Sequence, residues 1–222
     1  MDKSIDIVKN HFSENIYIKE MFDRNNLGLR DWENVIVEKY FVRNNGNLLD
    51  IGCGTGREAM ALTKLGFKVF GIDISEKEIE IAKEETLKEI LDINFELCNG
   101  IDLEFDNEYF DYSIIWAQTL GNIYTKKKRL KMLMENKRVL KKDGLLCFST
   151  HDYDFVKNNY SQYTKGKRFY PYSNSECYWK LFTTEEIIKE INETGLKIEF
   201  CGKSKELGKN IDIDVLVCVC RK

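Results

Sequence analysis

The sequence predicts an α/β protein built on a doubly wound, mostly parallel sheet. Apolar runs of strand length alternate with helix-period segments from residue 47 onward, and three glycines cluster where the first run meets the first helix. The 222 residues, 43% hydrophobic and 32% charged, suit one α/β unit spanning 1–222 and leave little for a second core.

Residues 1–46 read as a helical extension ahead of the first strand. "NLLDI" is that strand, "REAMALTKLG" the helix after it and "FKVFGIDI" the second strand. "SEKEIEIAKEETLKEIL" follows as a helix, with Ser75 and Glu78 at capping-box spacing. Strand "INFEL", strand "DYSIIW", helix "KKKRLKMLMENKRVL", turn "KKDG" and strand "LLCFST" complete the alternation. Each parallel crossover needs a dozen or more residues, usually a helix, and such crossovers are right-handed.

Residues 151–182 interrupt the rhythm with a Tyr-rich, polar insertion holding the single proline, Pro171. An irregular stretch of this length inside a compact unit is usually functional or mobile. "TTEEIIKEINETG" then reads as a helix with a Thr183–Glu186 capping box and Gly195 as its stop. "LKIEFCGKS" and "IDIDVLVCVC" close the chain as two strands in a hairpin-like arrangement.

The formal net charge of −3 gives no electrostatic footprint for a nucleic-acid backbone. No apolar run reaches membrane-spanning length, and the first residues lack the apolar core of a signal peptide. Cysteines at 53, 98, 147, 177, 201, 218 and 220 form no CxxC pair; buried free thiols in a reducing cytoplasm are the expectation. No metal-ligand set is visible, and the two histidines, His11 and His151, lack ligand spacing.

The glycine loop "DIGCGTGR" decides the ligand class. A dinucleotide loop spaced G-x-G-x-x-G would need its third glycine where Arg57 stands, and no G-K-[S/T] marks a P-loop. The spacing is G-x-G-x-G behind Asp50, suited to close backbone approach without a pyrophosphate. Asp73, at the tip of the second strand, is placed to accept from both hydroxyls of a ribose.

"LLDIGCGTGR" followed by "VFGIDIS" resembles the class I S-adenosylmethionine-dependent methyltransferases, from about residue 47 to the end. The resemblance implies a seven-stranded, Rossmann-like sheet with its last strand antiparallel. It implies S-adenosylmethionine as cofactor, Asp50, Gly52 and Gly54 bordering its methionine part, Asp73 on the ribose and Ile74 packed on the adenine. "CNGIDLEF" aligns with the family's third motif, with Asn99 and Gly100 at the adenine; Asn99 replaces the usual Asp and would accept through its amide oxygen.

"WAQTLGN" lacks the Asn/Asp-Pro-Pro-aromatic tetrad of enzymes that methylate nucleobases or glutamine amides, and resembles small-molecule methyltransferases instead. His151 follows the fifth strand at its carboxyl end and is the candidate general base, against the plainer reading of a hydrogen-bonding histidine. The aromatic residues of 151–182, with Tyr17 and Trp32, are candidates for a lid or for packing around the insertion. A cytoplasmic methyltransferase acting on a small molecule is therefore expected. The competing readings are the same chemistry on RNA or protein, and a non-catalytic S-adenosylmethionine sensor.

Overall fold

A computed structural model describes residues 3–43, 45–160, 179–208 and 215–222. Its sheet contains β1 (Asn47–Ile51), β2 (Lys68–Asp73), β3 (Asn94–Leu97), β4 (Phe110–Ile115), β5 (Leu140–Asp152), β6 (Leu181–Phe182), β7 (Lys197–Lys203) and β8 (Val215–Arg221). The order is β3-β2-β1-β4-β5-β8-β7, with β6 paired to β5 off this path. The first five strands run parallel, whereas β8 lies antiparallel to both β5 and β7. The expected seven-strand path is present, and the two-residue β6 is an addition to it. Strand order reverses between β1 and β4, which opens a crevice beyond their carboxyl ends.

Successive residues of β1 serve opposite faces, as strand geometry requires. Leu48 packs with Trp32 and Ile36 of α3 (Asp31–Tyr40), Leu62 of α4 (Arg57–Lys64) and Ile79 of α5 (Glu76–Lys88). Leu49 packs with Met132 of α6 (Lys126–Val139) and with Ile187 and Ile191 of α8 (Thr184–Thr194). Helices therefore cover both faces, which is why the central strands are apolar along nearly their whole length. All six residues of β4 are buried.

The ends of the elements follow local chemistry. At α8 the Thr183–Glu186 capping box is complete, and Gly195 ends the helix in the left-handed region at φ 67°. At α5 only half of the predicted box forms: Ser75 Oγ accepts from Glu78 N, but the return bond is missing. "KKDG" lies inside β5 rather than before it. Asp143 takes φ 63° there, and the β4–β5 register slips between Phe110 and Tyr112, as an added turn of chain demands.

The N-terminal extension forms α1 (Lys3–Phe12), α2 (Asn15–Arg24) and α3. Trp32 packs edge-on against Trp116 at 5.5 Å in the core, so it is a core residue and no part of a lid. Tyr17 is likewise buried, with its ring 4.0 Å from His11. The insertion contributes α7 (Tyr153–Asn159); most of its aromatic residues, with Pro171 and Cys177, lie outside the described residues. The six described cysteines are free, and Cys201 and Cys218 face each other across β7 and β8 with sulfurs 3.0 Å apart.

Candidate active site

The crevice is built from the chain segments that leave β1, β2, β3 and β4. Gly52 N and Cys53 N donate to Ile72 O at 2.8 and 3.1 Å, which folds the loop after β1 back over β2. Gly52 takes φ 77°, and a Cβ on it would stand 2.6 Å from Thr119 Oγ1. Gly54 also has a positive φ, and with it two lining residues of this loop present bare backbone to the cleft.

Asp73 ends β2 and locks this loop. Its Oδ2 accepts from Gly54 N at 3.0 Å and its Oδ1 from Ser75 N at 2.8 Å. Burial raises its pKa, with the backbone N–H groups of Ser75, Gly54 and Ile74 opposing. An ionised carboxylate offers about four lone-pair sites, so these backbone bonds leave capacity for a ligand hydroxyl. Ile74, the next residue, is on the cleft wall.

Asn99 also lines the cleft. Its Oδ1 accepts from Ile101 N at 2.8 Å and Asp102 N at 3.2 Å, a local turn bond. Those two bonds occupy the oxygen expected to face adenine, and Nδ2 is the group left to offer. Gly100 sits behind the wall: at φ 70°, a Cβ there would meet Ile51 Cγ2 at 2.8 Å and Met132 Cε at 2.9 Å.

Beyond β4, Ala117 and Gln118 take φ 49° and 62°, two consecutive left-handed residues with side chains. Such strain, of order 1–3 kcal/mol per residue, persists where surrounding structure over-determines it. Here Gln118 N donates to Ser149 Oγ at 3.3 Å and Thr119 Oγ1 to Trp116 O at 3.0 Å. Arg129 of α6 steadies the segment by donating to Ile123 O at 3.0 Å while pairing with the buried Glu190 of α8 through both oxygens. Val8 and Phe12 of α1, with Asn122 and Ile123, complete the cleft lining.

Behind the loop lies a buried charge network. Arg57 donates to both oxygens of Glu33 at 2.8 Å, to Gly28 O at 2.6 Å, and to Glu58. This is why a large residue stands where a dinucleotide loop has glycine: the side chain turns away from the cleft to tie α4 to α3. Asp50 belongs to this network and is not on the cleft lining. Burial and then Glu58 raise its pKa, with Arg57 opposing, and its Oδ2 has no hydrogen-bond partner among the described residues.

His151 pairs with Val215 of β8 and Leu181 of β6, and its ring meets Trp179 edge-on at 4.0 Å. It does not line the described cleft. Burial lowers its pKa to about 3, and Nε2 has no partner among the described residues.

Residues 43–197 match the model of a methyltransferase domain family. A demethylmenaquinone methyltransferase of Tropheryma whipplei is 30% identical over 196 residues, covering 83% of this chain and 80% of that protein. The chain belongs to the class I S-adenosylmethionine-dependent methyltransferases. A Geobacillus protein described as a methyltransferase is 32% identical over 123 residues, a match spanning only 49% of its own length. A methyltransferase structure from Methanosarcina mazei has the same fold, with TM-score 0.73, 21% identity, and 88% and 98% coverage of the two chains.

S-adenosylmethionine is the cofactor of this methyltransferase, and the site fits it. The positive-φ glycines make room at the β1 tip, Asp73 keeps acceptor capacity at the β2 tip, and Asp50 holds an unpaired buried oxygen behind the loop. Sequence reasoning missed Val8, Phe12 and Met132, which no motif marks, whereas Thr119 and Cys98 fall inside the segments "WAQTLGN" and "CNGIDLEF" that it singled out. It also counted Glu78 as a helix cap, although that residue lines the cleft. Among the described residues no cluster could hold a metal ion, and no helix is long and apolar enough to cross a membrane.

Proposed function

We propose that this methyltransferase acts on a small-molecule acceptor, held between the tip of β4 and the roof formed by α1. The observation that carries this reading is the chemistry of the cleft. Among its described lining residues there is no lysine or arginine, and Val8, Phe12, Ile123 and Met132 make its upper wall apolar. A polyanionic acceptor calls for a basic strip beside the cofactor, and a large acceptor for an open face. The name of the Tropheryma relative points to a small-molecule acceptor for that protein, which supports the same class here.

When bound, the cofactor supplies an electrophilic methyl group, and the chain's own work is positioning and exclusion of water. In this reading Asp73 fixes the ribose, Ile74 and Asn99 the adenine, and the loop of Gly52 and Gly54 the methionine part, with Asp50 and Gly100 shaping the wall from behind. The strained Ala117–Gln118 turn brings backbone to the acceptor side. His151, which burial keeps neutral at physiological pH, is read as the candidate proton acceptor. A compound screen of amines, hydroxyls, thiols and quinols, read by S-adenosylhomocysteine formation, tests the reading. Turnover on at least one small acceptor supports it; turnover confined to RNA or protein overturns it.

A further inference from the structure

Glu78 stands at the third position of α5, where a glutamate ordinarily bonds back to the amide of the capping residue. At α8 that bond exists: Glu186 Oε2 accepts from Thr183 N at 3.2 Å. At α5 the equivalent amide, Ser75 N, already donates to Asp73 Oδ1 at 2.8 Å. Displaced from its cap, the Glu78 side chain turns into the cleft. There it is 98% buried, with Oε1 3.6 Å from the position a Gly54 Cβ would take. Among the described residues no hydrogen bond reaches its carboxyl oxygens.

We propose that Glu78 is a second reader of the cofactor's ribose diol, supplying the hydrogen-bond donor that Asp73 lacks. A hydroxyl both donates and accepts, whereas an ionised carboxylate only accepts. Three backbone N–H groups support the anion of Asp73. Nothing comparable supports Glu78: burial, then the neighbouring Asp73 carboxylate, push it up to about 9. The backbone bonds held by Asp73 and lacking at Glu78 place the proton of the pair on Glu78. Asp73 is the charged group acting on it; the thiols of Cys53 and Cys98 lie alongside, α1 presents Val8 and Phe12, and Lys77 is turned to Asn15. One carboxyl then accepts from the diol while the other donates to it.

Calorimetric titration with S-adenosylhomocysteine and its 2′-deoxy and 3′-deoxy analogues tests this without any acceptor, and so independently of the small-molecule reading. Glu78→Gln retains an N–H donor and is expected within about threefold of wild type. Glu78→Leu is expected to weaken binding about tenfold, the scale of one hydrogen bond, and to shrink the penalty for one of the deoxy analogues. Above pH 9 the wild type should lose affinity relative to Glu78→Gln, because only the wild type loses its donor proton. Unchanged discrimination between the diol and both deoxy analogues in Glu78→Leu overturns the proposal. Should that variant fail to fold, parallel pH profiles for wild type and Glu78→Gln overturn it instead.

Discussion

Replacing Asp73 with asparagine exchanges one carboxylate oxygen for an NH₂ group and should disturb both the loop and the ligand. The native carboxylate accepts from Gly54 N at 3.0 Å and Ser75 N at 2.8 Å, one on each oxygen. An asparagine offers one acceptor oxygen and one N–H₂ donor, so one of those two amides must face a donor. An unsatisfied buried group costs about 1–3 kcal/mol, and that is the expected loss of unfolding free energy. The proposed ribose contact would be lost in addition. At about 1.5–3 kcal/mol for a charge-assisted bond, affinity for S-adenosylhomocysteine should fall roughly 10- to 150-fold. Asp73→Ala should behave similarly, since it removes the same acceptors. Urea unfolding and calorimetric titration measure the two effects separately. If both variants bind within twofold of wild type, the ribose assignment fails, whatever happens to stability.

Other outcomes follow from the same geometry. Gly52→Ala must hold a Cβ at φ 77° against Thr119 Oγ1, at a backbone cost of about 1–2 kcal/mol plus the clash. Cofactor affinity should drop more than tenfold, with partial recovery when Thr119→Ala is added; wild-type affinity and melting temperature would count against the cradle. Arg57→Met leaves Glu33, whose side chain is 1% exposed, without its partner, and should cost about 3–5 kcal/mol in denaturant unfolding. A loss below 1 kcal/mol would show the network to be dispensable. His151→Ala should slow turnover more than it alters cofactor affinity, and normal turnover across pH would remove it from the mechanism. Its pKa falls from 6.5 to about 3 on folding, so the unfolded chain binds more protons between those values and stability should decline as pH drops below 6.5. His151→Ala should flatten that decline.

The sheet was legible because its central strands are apolar runs bounded by helices, and the sharp turn after β1 because glycines stand at 52, 54 and 56, all three with positive φ. The carboxylate at Asp73 was legible from its place at a strand tip. Asn99 was legible as a position but not as a chemistry: its oxygen is spent on the backbone of Ile101 and Asp102, a choice made by the turn rather than by the motif. Glu78 was misread for a related reason. The spacing S-x-x-E specifies a reciprocal cap only when the capping amide is free, and Asp73 had already taken it. Val8 and Phe12 were invisible because nothing local to α1 records which part of a distant sheet it will meet.

The long reach of α1 across the sequence also bears on how the molecule is made. Ser13 bonds Ser75 across a separation of 62 residues, and Ser4 meets Lys128 across 124. At synthesis rates of about 5–20 residues per second, α1 leaves the ribosome roughly 6 to 25 seconds before its farthest anchor exists. A ten-residue helix has little stability alone, so the roof of the pocket settles only once those later segments have been made. A ligand gripped beneath it would hold the early and late parts of the chain together, and protease resistance of α1 should rise with its concentration.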